Sequence, residues 1–210
     1  LQYVRMRHGI EIVLIDSQAL FGNEYLLPRG TLREPPENLR RATHIFLTKC
    51  VDRNNGASIA RIRQFNRTAD IIECAHRPRH LRNLVTGEIK SLEFLRDLEI
   101  GSICGIAVPE SFQNALNDLG AKVSVSKFYI DHHRYSVREI ENFIRRCGRR
   151  GLTAIITTEK DAVRIPRILD PEVPIYYLRV EIEILGGQET WGRFVDRLTR
   201  KQQVVAPLRW

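Results

Sequence analysis

Short apolar runs alternate along this chain with stretches in which apolar residues recur every three or four positions. The runs read as buried strands and the spaced stretches as helices with one apolar face. Ile10 to Ile15 is nearly unbroken and closes on Asp16, the pattern of a central parallel strand covered on both faces, its carboxyl end at the following loop. Thr43–Thr48, Ala69–Ala75, the stretch from Ile100, Val123–Ile130, Ala154–Thr157 and Pro174–Ile184 repeat the strand signature. Between them, Glu37–Arg41 predicts a short helix, and Ala57–Arg67 one with Ile59, Ile62 and Phe65 on its apolar side. Pro109 opens a helix carrying Phe112, Ala115, Leu116 and Leu119, and Gly120 stops it. Ser136-Val-Arg-Glu139 is a capping box for a helix that turns Ile140, Phe143, Ile144 and Cys147 inward. Leu84–Lys90, with its Thr-Gly turn, predicts a β-hairpin, followed by a short helix over Leu92–Leu98. A last helix runs from Thr190 to Lys201 with Trp191, Phe194, Val195 and Leu198 on one side. This alternation favours an α/β fold with mostly parallel sheets, in two α/β/α layered lobes.

With 210 residues, 43% of them hydrophobic, the chain has room for one large domain or two small ones around a substantial core. No apolar run approaches the roughly 20 residues that cross a bilayer, and Leu1–His8 has no apolar signal core, so a spanning or exported chain is not expected. Cys50, Cys74, Cys104 and Cys147 are widely spaced, two of them among apolar neighbours. They read as reduced core thiols of a cytosolic protein and not as a zinc site. A net charge of +8 implies an anionic partner or surface. Arginines gather at Arg40–Arg41, Arg145–Arg146, Arg149–Arg150 and Arg197 to Lys201. Singly, such pairs are ordinary solvated helix faces. Together they suit anionic lipid headgroups, each adding about 1 kcal/mol near a membrane surface. Nucleic acid is not expected, because the chain has neither interleaved surface aromatics nor a recognisable binding motif.

Three segments carry candidate chemistry. The first is Phe21–Pro35, a polar loop punctuated by Gly22, Pro28, Gly30 and Pro35, directly after the first strand. Ligands of open α/β sheets sit at such strand ends. The loop delivers Arg33, whose fork suits phosphate oxygens, and Glu34, a carboxylate of the kind that shares Mg²⁺ with substrate phosphates. The plain alternative is a surface loop with two solvated charges. The second is Asp131-His-His-Arg-Tyr135 at the end of a strand, where an acid beside an imidazole makes an acid–base pair. Metal-dependent phosphoesterases also use Asp-His-His, but with further Asp/His clusters that this chain lacks. The third is Thr158-Glu-Lys-Asp161, with Thr158 as N-cap and Lys160 and Asp161 either contacting phosphate or, more simply, forming a cap and a surface ion pair. His76-Arg-Pro-Arg-His80, at the end of another strand, is basic enough to touch an anion, though Pro78 keeps its histidines off a common helical face. Gly105 lies in a strand-to-helix turn without dinucleotide-type spacing.

Gly22, Asn23, Leu26, Leu27, Pro28, Gly30, Leu32, Arg33, Glu34 and Pro35 together resemble the loop of the tetraacyldisaccharide 4′-kinases of lipid A biosynthesis. Their pattern reads approximately Gly-Asn-Gly, then Leu-Leu-Pro-Ala-Gly-Pro-Leu-Arg-Glu-Pro. Glu24, Arg29 and Thr31 depart from it. Gly105, Ile106, Pro109 and Phe112 match a second, mainly structural tract of that family, and Asp131-His132-His133 a third. The resemblance implies ATP and Mg²⁺ as cofactors and an acylated disaccharide lipid as substrate, on the cytoplasmic face of a Gram-negative inner membrane. It implies Glu34 as metal ligand, Asn23 and Lys160 as nucleotide contacts, and Arg33, Asp131 and His132 as catalytic residues, with His132 activating the sugar hydroxyl alongside an upstream aspartate. It also implies a hairpin linker over residues 81–99, between a P-loop-type nucleotide lobe (residues 1–80) and a second lobe (residues 100–210). Those kinases carry a Gly-Lys-Thr loop and an Asp-Asp-Gly motif ahead of a stretch like Leu1-Gln2-Tyr3, and no G-x-x-x-x-G-K-[ST] occurs in these 210 residues. The expectation is the carboxy-terminal part of such a kinase, inactive alone. The competing expectation is a non-catalytic anion- or lipid-binding module.

Overall fold

A computed structural model describes residues 9–202, with side chains to residue 199; Leu1-Gln2-Tyr3 and the side chains of Arg200 and Lys201 lie outside what is described. The chain divides into two compact units, one built from residues up to His76 together with those from Ile182 onward, the other from Arg77–Glu181.

In the first unit, β1 (Ile12–Asp16), β2 (His44–Thr48) and β3 (Asp70–Asn83) lie side by side, β1–β2 and β2–β3 both parallel. A 3-10 helix (Pro36–Arg41) stands where the short helix is expected, and α1 (Gly56–Phe65) connects β2 to β3. Ile15, Phe21, Leu39, Ile45, Leu47 and Ile62 are the centre of its core. β1 departs from the expected central strand: it is the first in the strand order, and Ile12 and Leu14 are 42% and 71% exposed. The apolar run correctly marks a strand, but among the described residues only one of its faces is covered.

The second unit orders its strands β8 (Ile175–Gly186), β7 (Ala154–Thr158), β5 (Glu99–Cys104) and β6 (Lys122–Phe128), with each successive pair parallel. Parallel neighbours need crossovers, which α2 (Pro109–Asp118) and α3 (Val137–Gly148) provide. Pro109 occupies the first turn of α2, and α3 carries the full reciprocal Ser136–Glu139 capping box. The buried face of α3 is the expected Ile140, Phe143, Ile144 and Cys147, set against Ile103, Val125 and Ile155. Gly101 permits this approach: a Cβ there would lie 2.7 Å from Cys147 Sγ. α4 (Glu159–Ala162) is a single turn.

Two segments differ from expectation. β3 does not end at Ala75 but continues through His76–His80 to Asn83, and its last residues pair antiparallel with β4 (Ile89–Lys90), Leu81 opposite Lys90. The hairpin is present, with Gly87 at φ +75° in its turn, but it is an extension of β3. Pro78 contributes no N–H to a ladder, yet its fixed φ is compatible with extended backbone. A 3-10 helix over Leu92–Leu95 replaces the predicted longer one. Residues 182–202, expected with the second lobe, belong to the first unit. β8 is twelve residues long, and beyond it α5 (Gln188–Gln202) sets Phe194 4.7 Å from the His44 ring and 5.7 Å from Phe46. His44 is accordingly buried, and its pKa is lowered by desolvation against the opposing pull of Asp70. All four cysteines are free and buried, and burial pushes Cys104 up to about 12 and Cys74 and Cys147 to about 11. No helix among the described residues is long and apolar enough to cross a membrane.

Ile155 has no exposed surface and sits at the centre of the second unit's core. Ile155→Ala is expected to lower the unfolding free energy by about 2–5 kcal/mol, measured by urea denaturation.

Candidate functional site

The candidate residues fall into two sets, one in each unit. In the first unit, Ser17 to Pro35 leaves the carboxyl end of β1, where Lys49 Nζ pairs with Asp16 Oδ2 at 2.6 Å. The loop is held by its own backbone: Leu27 N–H donates to Leu32 O at 2.9 Å, Gly30 N–H to Leu26 O at 2.9 Å, and Leu32 N–H to Tyr25 O at 3.2 Å. Asn23 is spent on the same task, its Nδ2 donating to Arg29 O (3.3 Å) and its Oδ1 accepting from Tyr25 N–H (3.2 Å). Gly30 closes the loop so tightly that a Cβ would run into the Tyr25 carbonyl and Asn23 Oδ1. Arg29 lies over the Tyr25 ring, 3.8 Å from its centroid.

This loop presents Arg33 to solvent and Glu34 half-buried. Both line a cavity of about 310 Å³ whose other walls include Val13, Ile15, Leu20, Phe21 and Leu39. Glu34 Oε2 accepts from Asn38 Nδ2 at 3.0 Å and is paired with Arg41, both on the 3-10 helix. Among the described residues no group of three or more His, Cys, Asp or Glu could hold a metal ion. A single oriented carboxylate nevertheless fits Mg²⁺, which takes most of its oxygens from phosphate and water.

In the second unit, the carboxyl ends of β5, β6 and β7 meet, since β5 lies between the other two and all three are parallel. β6 leads into Asp131–Tyr135, β7 into α4, and β5 into Gly105. From these ends comes a chain of charged and polar contacts. Lys160 Nζ holds Asp131 Oδ1 at 2.6 Å, and Asp131 Oδ2 lies 3.6 Å from His132 Nε2. Arg164 Nη2 is 2.9 Å from His132 Nδ1, and its Nη1 lies 3.8 Å from Oδ1 of Asp161. Asp161 has no exposed surface; its Oδ2 accepts from Thr158 Oγ1 at 2.6 Å and from Gly105 N–H at 3.0 Å. Lys160, reinforced by His132, holds the Asp131 carboxyl below its ordinary range. Burial, and then the neighbouring Asp161 carboxylate, push the Tyr135 hydroxyl up.

The two histidines part company. His133 stacks on Tyr129 (centroids 4.2 Å apart), stands edge-on to Tyr135, and lies 3.2 Å from Glu139 Oε1, so it is packed into the fold. His132 is 70% exposed, at φ +67°. Positive φ is uncommon outside glycine, and such strain concentrates at functional positions. Two points correct the sequence reading. Lys160 pairs not with Asp161 but with Asp131, and Asp161 is a buried anchor instead of half a surface pair. Arg164 was not legible as part of the site, because the histidine it meets lies 32 positions away in sequence.

A family model described as tetraacyldisaccharide-1-P 4′-kinase matches residues 1–200. The chain belongs to this family. It is 34% identical over 197 residues to the tetraacyldisaccharide 4′-kinase of Anaeromyxobacter dehalogenans (strain 2CP-C), covering 90% of this chain and 51% of the relative. The enzyme of that name from Anaeromyxobacter sp. (strain K) is 34% identical over 200 residues, covering 93% and 53%. The chain thus spans about half the length of the curated relatives it matches. The crystal structure of LpxK from Aquifex aeolicus in complex with ATP superposes with a TM-score of 0.61 at 20% identity, over 93% of this chain and 54% of that one. That likeness supports the α/β fold of the kinase family.

Capping hydrogen bonds from Ser136 hold Glu139 below its ordinary pKa. A depressed carboxylate stabilises the fold above its unfolded pKa, and that contribution disappears as pH falls through the folded value. Glu139→Gln keeps an acceptor for Ser136 N–H but carries no charge. The stability difference between wild type and variant should therefore be largest near neutrality and shrink below about pH 4, as measured by denaturation at a series of pH values.

Proposed function

We propose that the protein is an ATP-dependent tetraacyldisaccharide 4′-kinase, which transfers the γ-phosphoryl group of ATP to the 4′-hydroxyl of a tetraacylated glucosamine disaccharide 1-phosphate. The family match over residues 1–200 carries this reading. Phosphoryl transfer asks a protein for positioning and charge neutralisation more than for covalent chemistry, and the charged groups of both units suit that demand. Arg33, exposed at the end of an internally bonded loop, steadies phosphate oxygens through its planar fork. Asn23 serves the nucleotide by shaping that loop. Glu34, oriented by Arg41 and Asn38, is the side chain that would hold Mg²⁺; the ion, when bound, neutralises phosphate charge. His132 is the imidazole at the acceptor hydroxyl, with Asp131 beside it and Lys160 holding Asp131 in place.

Glu34→Ala and His132→Ala, made in the product of the intact native reading frame, are expected to lower kcat, the latter by roughly 10²- to 10⁴-fold, while both variants remain folded. Near-wild-type turnover in both would take these residues out of the mechanism. Residues 1–210 alone are expected to transfer no phosphate, and measurable transfer to a disaccharide acceptor would contradict this.

The substrate class and the arginine-rich surface also support peripheral docking on an anionic membrane, on the cytoplasmic face of a Gram-negative inner membrane. Arg145, Arg149 and Arg150 make their hydrogen bonds to Asn142, Arg145 O and Ser124 O, with no carboxylate among these acceptors. Sedimentation with liposomes should rise with anionic lipid content, and indifference to headgroup charge would refute the docking.

A further inference from the structure

Arg164 Nη2 lies 2.9 Å from His132 Nδ1. A guanidinium has only donors and stays charged, so Nδ1 is the acceptor and the ring proton belongs on Nε2. The other side of the ring agrees. Nε2 faces Asp131 Oδ2 at 3.6 Å, an acceptor fixed in turn by Lys160. The guanidinium is itself anchored: Nη1 is buried with no hydrogen-bond partner and sits 3.8 Å from Asp161 Oδ1, on a carboxylate with no exposed surface. That carboxylate is fixed through its other oxygen by Thr158 and the Gly105 N–H. An exposed ion pair alone would impose little order. Here a buried carboxylate aims the cation, and the cation meets an imidazole that its own backbone, at φ +67°, holds out into solvent.

We propose that Arg164 is a positioning residue that holds the His132 ring in its Nε2–H tautomer, with Asp161 as its buried anchor. This deepens the kinase reading and rests on it for its catalytic meaning. With Nδ1 engaged by the guanidinium, the ring offers an N–H at Nε2, and a lone pair becomes available to a hydroxyl only when Arg164 releases Nδ1. Phosphate oxygens, which compete for a guanidinium bidentately, are the chemical class able to draw it away.

The test is ¹⁵N NMR of the histidine rings in the 210-residue chain, above the histidine range of about pH 6.5, so that the ring is neutral and Asp131, Lys160 and Arg164 remain charged. In the wild type, the two His132 nitrogens should show the separated shifts of a single Nε2–H tautomer. In Arg164→Met they should converge toward the average of two exchanging tautomers, while the His133 signals, set by Glu139 and Tyr129, stay in place and report an intact fold. Asp161→Asn should give the same convergence in weaker form. His132 nitrogens that are already averaged in the wild type, or that do not move in Arg164→Met, overturn the proposal. The wild-type spectrum decides even if a variant fails to fold. Loss of the kinase reading would appear separately, as full turnover in His132→Ala, and would leave the tautomer result standing.

Discussion

A carboxylate without exposed surface is the constraint on which the second unit's chemistry depends. Burying an ionised Asp161 is costly unless hydrogen bonds and a counter-charge replace water. The Gly105 N–H and the Thr158 hydroxyl bond Oδ2, and Arg164 stands as a counter-charge 3.8 Å from Oδ1. Each comes from a different place: the residue after β5, the N-cap of α4, and the second residue past the end of α4. The charge therefore ties two strand ends together and fixes the direction in which Arg164 points. Gly105 suits the same arrangement, since a Cβ there would crowd it, lying 3.1 Å from the Tyr135 hydroxyl and 3.3 Å from Asp161 Oδ1.

What the sequence revealed and what it hid divide along the range of the interactions. The α3 capping box, the Pro109 start of α2 and the inward face of α3 were all legible because their physics is local, three or four residues apart. Lys160 and Asp161, adjacent in sequence, suggested each other as partners, yet successive side chains on a helix diverge. Lys160 found Asp131 and Asp161 found Gly105, 29 and 56 positions away. β3 ran past its predicted end for a related reason: Pro78 excludes a helix but is compatible with an extended chain. The burial of His44 was hidden in the same way, since nothing near it in sequence announces the Phe194 ring that covers it. The family loop, by contrast, was legible residue by residue.

In the first unit the same logic works with weaker materials. Glu34 is half-buried and held by Arg41 and Asn38 from the adjoining 3-10 helix, so its orientation derives from a neighbouring element and not from the loop it belongs to. The loop contributes rigidity. Its backbone hydrogen bonds and the Asn23 amide close it on itself, which limits the conformations open to the backbone that carries Arg33.

Positioning in both units is thus delegated. Glu34, Asp131 and His132 each stand on a loop between elements. Each is oriented by a cation, Arg41, Lys160 or Arg164, from a different element. Cations suit this role where the ligand is phosphate. A guanidinium or ammonium that holds a carboxylate or imidazole in the resting protein can exchange that partner for a phosphate oxygen without being left unpaired, and the site changes its hydrogen bonds without changing its fold. Part of the chain's positive charge is therefore balanced within the fold by the carboxylates it orients.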